Sequence, residues 1–180
     1  MSVSSENFKI AMKEAGEILD CYDEINKNSN KQSPTPEALK RATLILILTA
    51  WETYIEDVAE EIFKNKFGVL LGSHAGGFVE KQFKQELNQL HNPNSQKVRK
   101  LFFDFLGVDI TASWNWANYN SEQAKTVLNR WLKRRGEAVH RARTDSSCAH
   151  VVKRDELNKC IRFFNELVDV TDRTLFESSM

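Results

Sequence analysis

The stretch ATLILILTAW, residues 42–51, is apolar on every side and lies inside a longer periodic pattern. Leu39 precedes it, and Tyr54, Ile55, Val58, Ala59 and Ile62 follow it at the three- and four-residue spacing of an α-helix. Taken alone, these residues would also suit a short buried strand, but the flanks carry the helical pattern through them. A helix that is apolar all round has to be covered on several sides, so the sequence predicts a central helix with others packed about it. Thr35, Pro36 and Glu37 supply its start, an N-cap with proline at the first helical position, and it runs to Lys66, just before Gly68.

The rest of the chain is read as helix almost throughout. A first helix from Ser4 or Ser5 aligns Phe8, Met12, Ala15, Ile18, Leu19, Tyr22 and Ile25 in one stripe and stops in the polar run NKNSNKQSP. The glycine-rich GVLLGSHAGG has neither the GxGxxG nor the GxxxxGK[ST] spacing and reads as a plain connection rather than a phosphate-cradling loop. A short helix is expected from Phe78 to Leu90, and another from Asn94 or Ser95, with Val98, Leu101, Phe102, Phe105 and Leu106 on one face and Gly107 as its stop. VDITASWNWANYN is expected to be a loop. Its Trp114, Trp116 and Tyr119 suit either base stacking or, better, anchorage to the core. Asn120 or Ser121 then caps a helix bearing Ala124, Val127, Leu128, Trp131 and Leu132. A last helix from about Lys153 bears Leu157, Ile161, Phe164, Leu167, Val168 and Leu175.

A chain of 180 residues buries enough surface to fold as one domain, here taken as residues 1–180. The opening MSVSSENFK lacks the apolar core of a secretory signal, and residues 44–50 are far too short a run to span a bilayer, so a cytoplasmic protein with no membrane partner is expected. Cys21, Cys148 and Cys160 show no CxxC spacing, which argues against a disulfide framework. His140, Cys148, His150 and Cys160 contain no tight ligand pair, and no metal or cofactor is expected. His74, His91 and His150 are read as loop histidines, and neither GxSxG nor HExxH occurs.

Net charge is zero, but it is unevenly spread. Residues 125–143 hold seven basic side chains (Lys125, Arg130, Lys133, Arg134, Arg135, Arg141, Arg143) against Glu137, while acids gather at Glu52, Glu56, Asp57, Glu60 and Glu61. Such a chain is no general polyanion binder, yet it attracts phosphate to one place. The decapeptide RRGEAVHRAR, residues 134–143, joins that charge to a histidine. On an unbroken helix Arg135 and His140 stand about 140° apart. Sharing a site then requires a swung arginine, a turn loosened at Gly136, or a second chain across a two-fold axis.

RRGEAVHRAR at the end of a helix resembles the Arg-x4-6-His motif of HEPN domains. RATLILILTAWETYIEDVAEEIF is similar to the long helix with an Ala-x-Glu-x-Tyr-like centre in the RiboL-PSP and related bacterial HEPN groups, and the closing helix from Lys153 extends the likeness over most of the chain. The resemblance implies an all-α, HEPN-like bundle of about four to five main helices forming a two-fold dimer. It also implies a metal-independent endoribonuclease of a bacterial toxin, defence or RNA-processing system, with RNA as substrate and an antitoxin or defence-system protein as a further partner. The alternative it leaves is a catalytically inactive HEPN module that binds RNA or a partner protein.

His140 takes the place of the family histidine and Arg135 that of its arginine, with Arg134 also within the allowed spacing. Glu52 matches the family's glutamate and would orient Arg135 or His140, unless it faces solvent beside Glu56. Lys133, Arg141, Arg143 and Arg130 are expected to bind RNA. Gly136 stands where the family usually has a polar residue, and Ala142 where some members carry a tyrosine. The chemistry is coherent without the family. Metal-free RNA cleavage needs a proton taken from the 2′-hydroxyl or given to the leaving oxygen, which histidine does at neutral pH. Charge building on the phosphate is met by arginine through paired hydrogen bonds. The remaining possibility is a helical dimer with a structural or antitoxin-like role, its basic segment paired with Glu56 and Glu60 of a neighbour.

Overall fold

In the computed structural model, which describes residues 1–28, 37–140 and 152–177, the chain forms six α-helices. They are α1 (Val3–Asn28), α2 (Glu37–Phe67), α3 (His74–Asn88), α4 (Ser95–Leu106), α5 (Ser121–His140) and α6 (Arg154–Glu177), with 3-10 turns at Gly68–Leu70 and Ile110–Ser113. No strand occurs among the described residues, and no helix there is long and apolar enough to cross a membrane. Thr35 and Pro36, expected to start α2, lie outside the described residues.

The apolar segment is helical throughout and forms the axis of the bundle, with α1, α6, α5 and α4 against it. Leu44, Ile47, Leu48, Trp51, Ile55, Val58 and Ala59 are all buried. Around Trp51 the rings of Trp114, Phe164 and Tyr54 lie 6.2, 5.8 and 6.1 Å away, in edge-on or tilted contacts that join α2, α6 and the 110–119 loop into one core. Further along α2, Phe63 stacks face to face on Phe83 of α3 at 4.1 Å.

The helix ends follow local chemistry. Ser2 caps α1, its Oγ accepting from Ser5 N at 2.9 Å, and its own hydroxyl and N–H donate to Asp172 on α6. Asn94 caps α4 through Lys97 N, and Gly107, with φ of 73°, ends it in a left-handed turn. Asn120 and Gln123 cap α5 reciprocally at 2.9 and 3.0 Å.

Two expectations need correction. The third helix starts at His74, not Phe78, because Ser73 Oγ accepts from Gly76 N and caps it inside the supposed connection; His74 therefore lies in a helical turn rather than a loop. Secondly, α5 runs unbroken through Gly136, so that glycine is no hinge. The aromatic loop is an anchor. Trp114 is fully buried and donates to Thr171 Oγ1 at 2.9 Å, while the half-buried Trp116 and Tyr119 pack on Phe163 at 5.7 and 5.5 Å. Trp114 thus has no face for a base.

Candidate active site at the end of the fifth helix

Helix α5 buries Ala124, Leu128, Trp131, Leu132 and Ala138, and that burial fixes its rotation. Its two adjacent arginines then leave in different directions. Arg135 turns toward α2, where Nη1 donates to Glu52 Oε2 at 2.7 Å and to Asn92 Oδ1 at 3.0 Å. The other carboxylate oxygen of Glu52 accepts from Asn92 N at 2.8 Å, so one glutamate ties the arginine to the turn between α3 and α4. The side chains of Arg135 and Glu52 are 21% and 15% exposed, enough shielding to make this pair stronger than an ordinary surface bridge while leaving the guanidinium open to a ligand. Glu52 therefore meets Arg135 and does not simply face solvent beside Glu56.

Arg134 turns the other way. Its Nη1 pairs with Glu156 Oε1 on α6 at 2.7 Å, and the guanidinium lies over Trp131 at 5.1 Å. Glu156 also accepts from Lys153 N at 2.9 Å, capping α6. Burial pushes this carboxyl up, but the Lys153 N–H and the Arg134 guanidinium outweigh it, and the group lies below its ordinary range. A depressed folded value means stability that is complete above the ordinary carboxylate range and lost as pH falls through the lowered one. Glu156→Gln is accordingly expected to lower Tm at neutral pH, with the gap to wild type closing towards acid; a gap independent of pH would show that charge plays no part.

His140 is the last residue of α5. Arg141, Arg143, Cys148 and His150 lie outside the described residues. Lys133 and Arg130 are exposed on α5. Lys133 and Gly136 line a hollow of 460 Å³ together with Asn92, Asn94, Lys97, Asn129 and Leu132, a wall with two cations and no carboxylate. A second hollow, of 480 Å³, is lined by Glu56, Asp57, Glu60, Lys84 and His91 among others. Burial, then Glu52 and Asp57, pushes the Glu56 carboxyl up; burial, then Glu60 and Glu61, does the same for Asp57.

Cys21 is exposed and Cys160 buried, both as free thiols, and burial raises the latter. No group of three or more histidine, cysteine or acidic residues suited to a metal ion occurs among the described residues. Asn92 is the member of the site that sequence reasoning missed. An Asn-Pro pair marks a turn, but nothing local shows that the turn reaches across to Glu52 and Arg135.

The described residues thus form an all-α bundle in which an arginine anchored on the glutamate of the central helix stands five residues before a histidine at a helix end. A family model for RiboL-PSP-HEPN matches residues 13–177, and the chain belongs to that family. Searches of curated proteins and of solved structures found no match.

Proposed function

We propose that this protein is a metal-independent endoribonuclease of a bacterial toxin, defence or RNA-processing system, acting on RNA in the cytoplasm as a two-fold dimer. The observation that carries the reading is the Glu52–Arg135 pair at 2.7 Å, which presents a fixed guanidinium within one helical stretch of His140 in a family-matched bundle. Glu52 and Asn92 both take Nη1, and in this reading Nε and Nη2 offer the planar face that holds two phosphate oxygens. Arg134 spends its charge on Glu156, which favours Arg135 as the phosphate ligand.

In the proposed step, His140 takes the proton of the 2′-hydroxyl, and the 2′-oxygen attacks phosphorus. The bond from phosphorus to the 5′-oxygen breaks, and that oxygen receives a proton from the partner's His140. The products are a 2′,3′-cyclic phosphate and a free 5′-hydroxyl. Lys133, Arg130, Arg141 and Arg143 bind flanking phosphates, and an antitoxin or defence-system protein would act by covering this surface.

The test is to incubate wild type and His140→Ala with mixed RNA in EDTA and to analyse fragment ends. Cleavage by wild type alone, leaving cyclic phosphates, is expected; equal cleavage by both sinks the assignment. Gly136, which offers no side-chain hydrogen bond beside Arg135, favours a second reading as a silent RNA- or protein-binding module, whose signature is salt-sensitive RNA binding without cleavage.

A further inference from the structure

Between α3 and α4 the chain turns through His91, Asn92, Pro93 and Asn94, and both ends of the turn are pinned. Leu90 and Pro93 are buried, Trp51 Nε1 donates to Pro93 O at 3.1 Å, and Asn94 caps α4. Lys97 adds a bond from its ammonium to His91 O. Asn92, held between these anchors, has φ of 58°, the one left-handed non-glycine residue recorded among the described residues.

That conformation is costly. A side chain disfavours it, asparagine least of the common residues, and the proline that follows pushes its predecessor towards extended backbone instead. What the left-handed turn secures is a pair of bonds in opposite directions. The backbone N–H reaches Glu52 Oε1 at 2.8 Å, and the side-chain Oδ1 reaches Arg135 Nη1 at 3.0 Å. With the Glu52–Arg135 bond at 2.7 Å these close a three-membered ring linking α2, the turn and α5. A carboxylate alone lets a guanidinium rock about a single contact; a second acceptor on the same nitrogen fixes the plane of the fork. Backbone strain of this kind persists only where surrounding structure imposes it, and it concentrates at functional sites.

We infer that Asn92 is a positioning residue, which with Glu52 sets the plane of the Arg135 guanidinium and so aims its remaining donors at the phosphate. This rests on the ribonuclease reading for its consequence, though not for its geometry. Asn92→Gly isolates the role, because glycine takes the left-handed turn freely and keeps the N–H to Glu52 while losing Oδ1. Asn92→Asp keeps the acceptor.

The experiment measures Tm, kcat and KM on an RNA oligonucleotide, and the order of the Arg135 Nε–Hε group by NMR, in wild type and both variants. Expected for Asn92→Gly are an unchanged or raised Tm, kcat lower on the order of tenfold, KM little changed, and a loosened Arg135 signal. Asn92→Asp is expected to keep kcat within about threefold, the smaller part of that loss. Wild-type kcat with an ordered Arg135 in Asn92→Gly overturns the inference, and so does a loss of kcat that comes with a fallen Tm, since that marks a merely structural residue. If wild type cleaves nothing, the ribonuclease reading fails, and the Arg135 signal alone decides Asn92: loosened in Asn92→Gly supports the role, unchanged overturns it.

Discussion

If the proposed ribonuclease activity holds, Arg135→Lys is expected to cut RNA no better than Arg135→Ala, both on the order of 10²- to 10³-fold below wild type in kcat, the usual cost of removing a donor aimed at developing charge. The expectation rests on geometry rather than charge. Among the described residues Arg135 commits one nitrogen, Nη1, to Glu52 and Asn92, and in the proposed mechanism the rest of its rigid planar fork holds the phosphate. A lysine has a single ammonium, and holding Glu52 takes that ammonium away from the phosphate. The stability readout runs the other way. Lysine still compensates the shielded Glu52 carboxylate, whereas alanine leaves it with only the Asn92 N–H, so the lysine variant should melt above the alanine one. Near-wild-type cleavage by Arg135→Lys would show that Arg135 acts as a diffuse positive charge and not as a phosphate clamp.

Gly76→Ala is expected to destabilise the fold by upwards of about 3 kcal/mol, the severe end of overpacking. Glycine inside a helix is ordinarily a defect, and alanine in its place gains about 0.5–1 kcal/mol. At Gly76 the sign reverses, because a Cβ would stand 1.8 Å from Leu70 O and 2.4 Å from Leu70 C, backbone atoms that cannot step aside. The close approach lets the turn at Gly68–Leu70 fold back on the first turn of α3, where Ser73 N bonds Leu70 O at 2.9 Å and Gly76 N bonds Ser73 Oγ at 3.0 Å. Gly136 supplies the internal control. A Cβ there meets nothing within 4 Å, so Gly136→Ala should raise Tm. Denaturant unfolding of both variants checks the pair; Gly76→Ala as stable as wild type would show that the turn is free to move off the helix.

Much of the fold was legible because helices report themselves locally. The stripes of α1, α4 and α6 and the all-round apolarity of α2 are properties of residues three and four apart, and the end signals at Asn94, Gly107 and Asn120 act within one turn. The start of α3 was missed for a related reason. His74, Ala75, Gly76 and Gly77 are poor helix formers, and the cap at Ser73 works only because Gly76 accepts the backbone of Leu70 against it. The site was legible in part. Glu52 as a partner for the arginine could be read from the resemblance, and the structure brings it to Arg135. Which arginine faces Glu52 could not, since Arg134 and Arg135 fit the spacing equally.

The sequence by itself determined that the chain is helical, most of the residues that enter its core, and that basic residues and a histidine fall together in the chain at the end of α5, because these depend on periodicity and composition over a few turns; Ile25, placed in the apolar stripe of α1, is exposed instead. Only the tertiary structure decided the rest. The seating of Leu128, Trp131 and Leu132 in the core sends Arg135 to a glutamate 83 positions away and Arg134 to Glu156. It also brings Asn92, 43 positions from Arg135, to close the ring. Contacts at such separations follow from how whole helices rotate to bury their apolar faces, and no local pattern encodes that rotation.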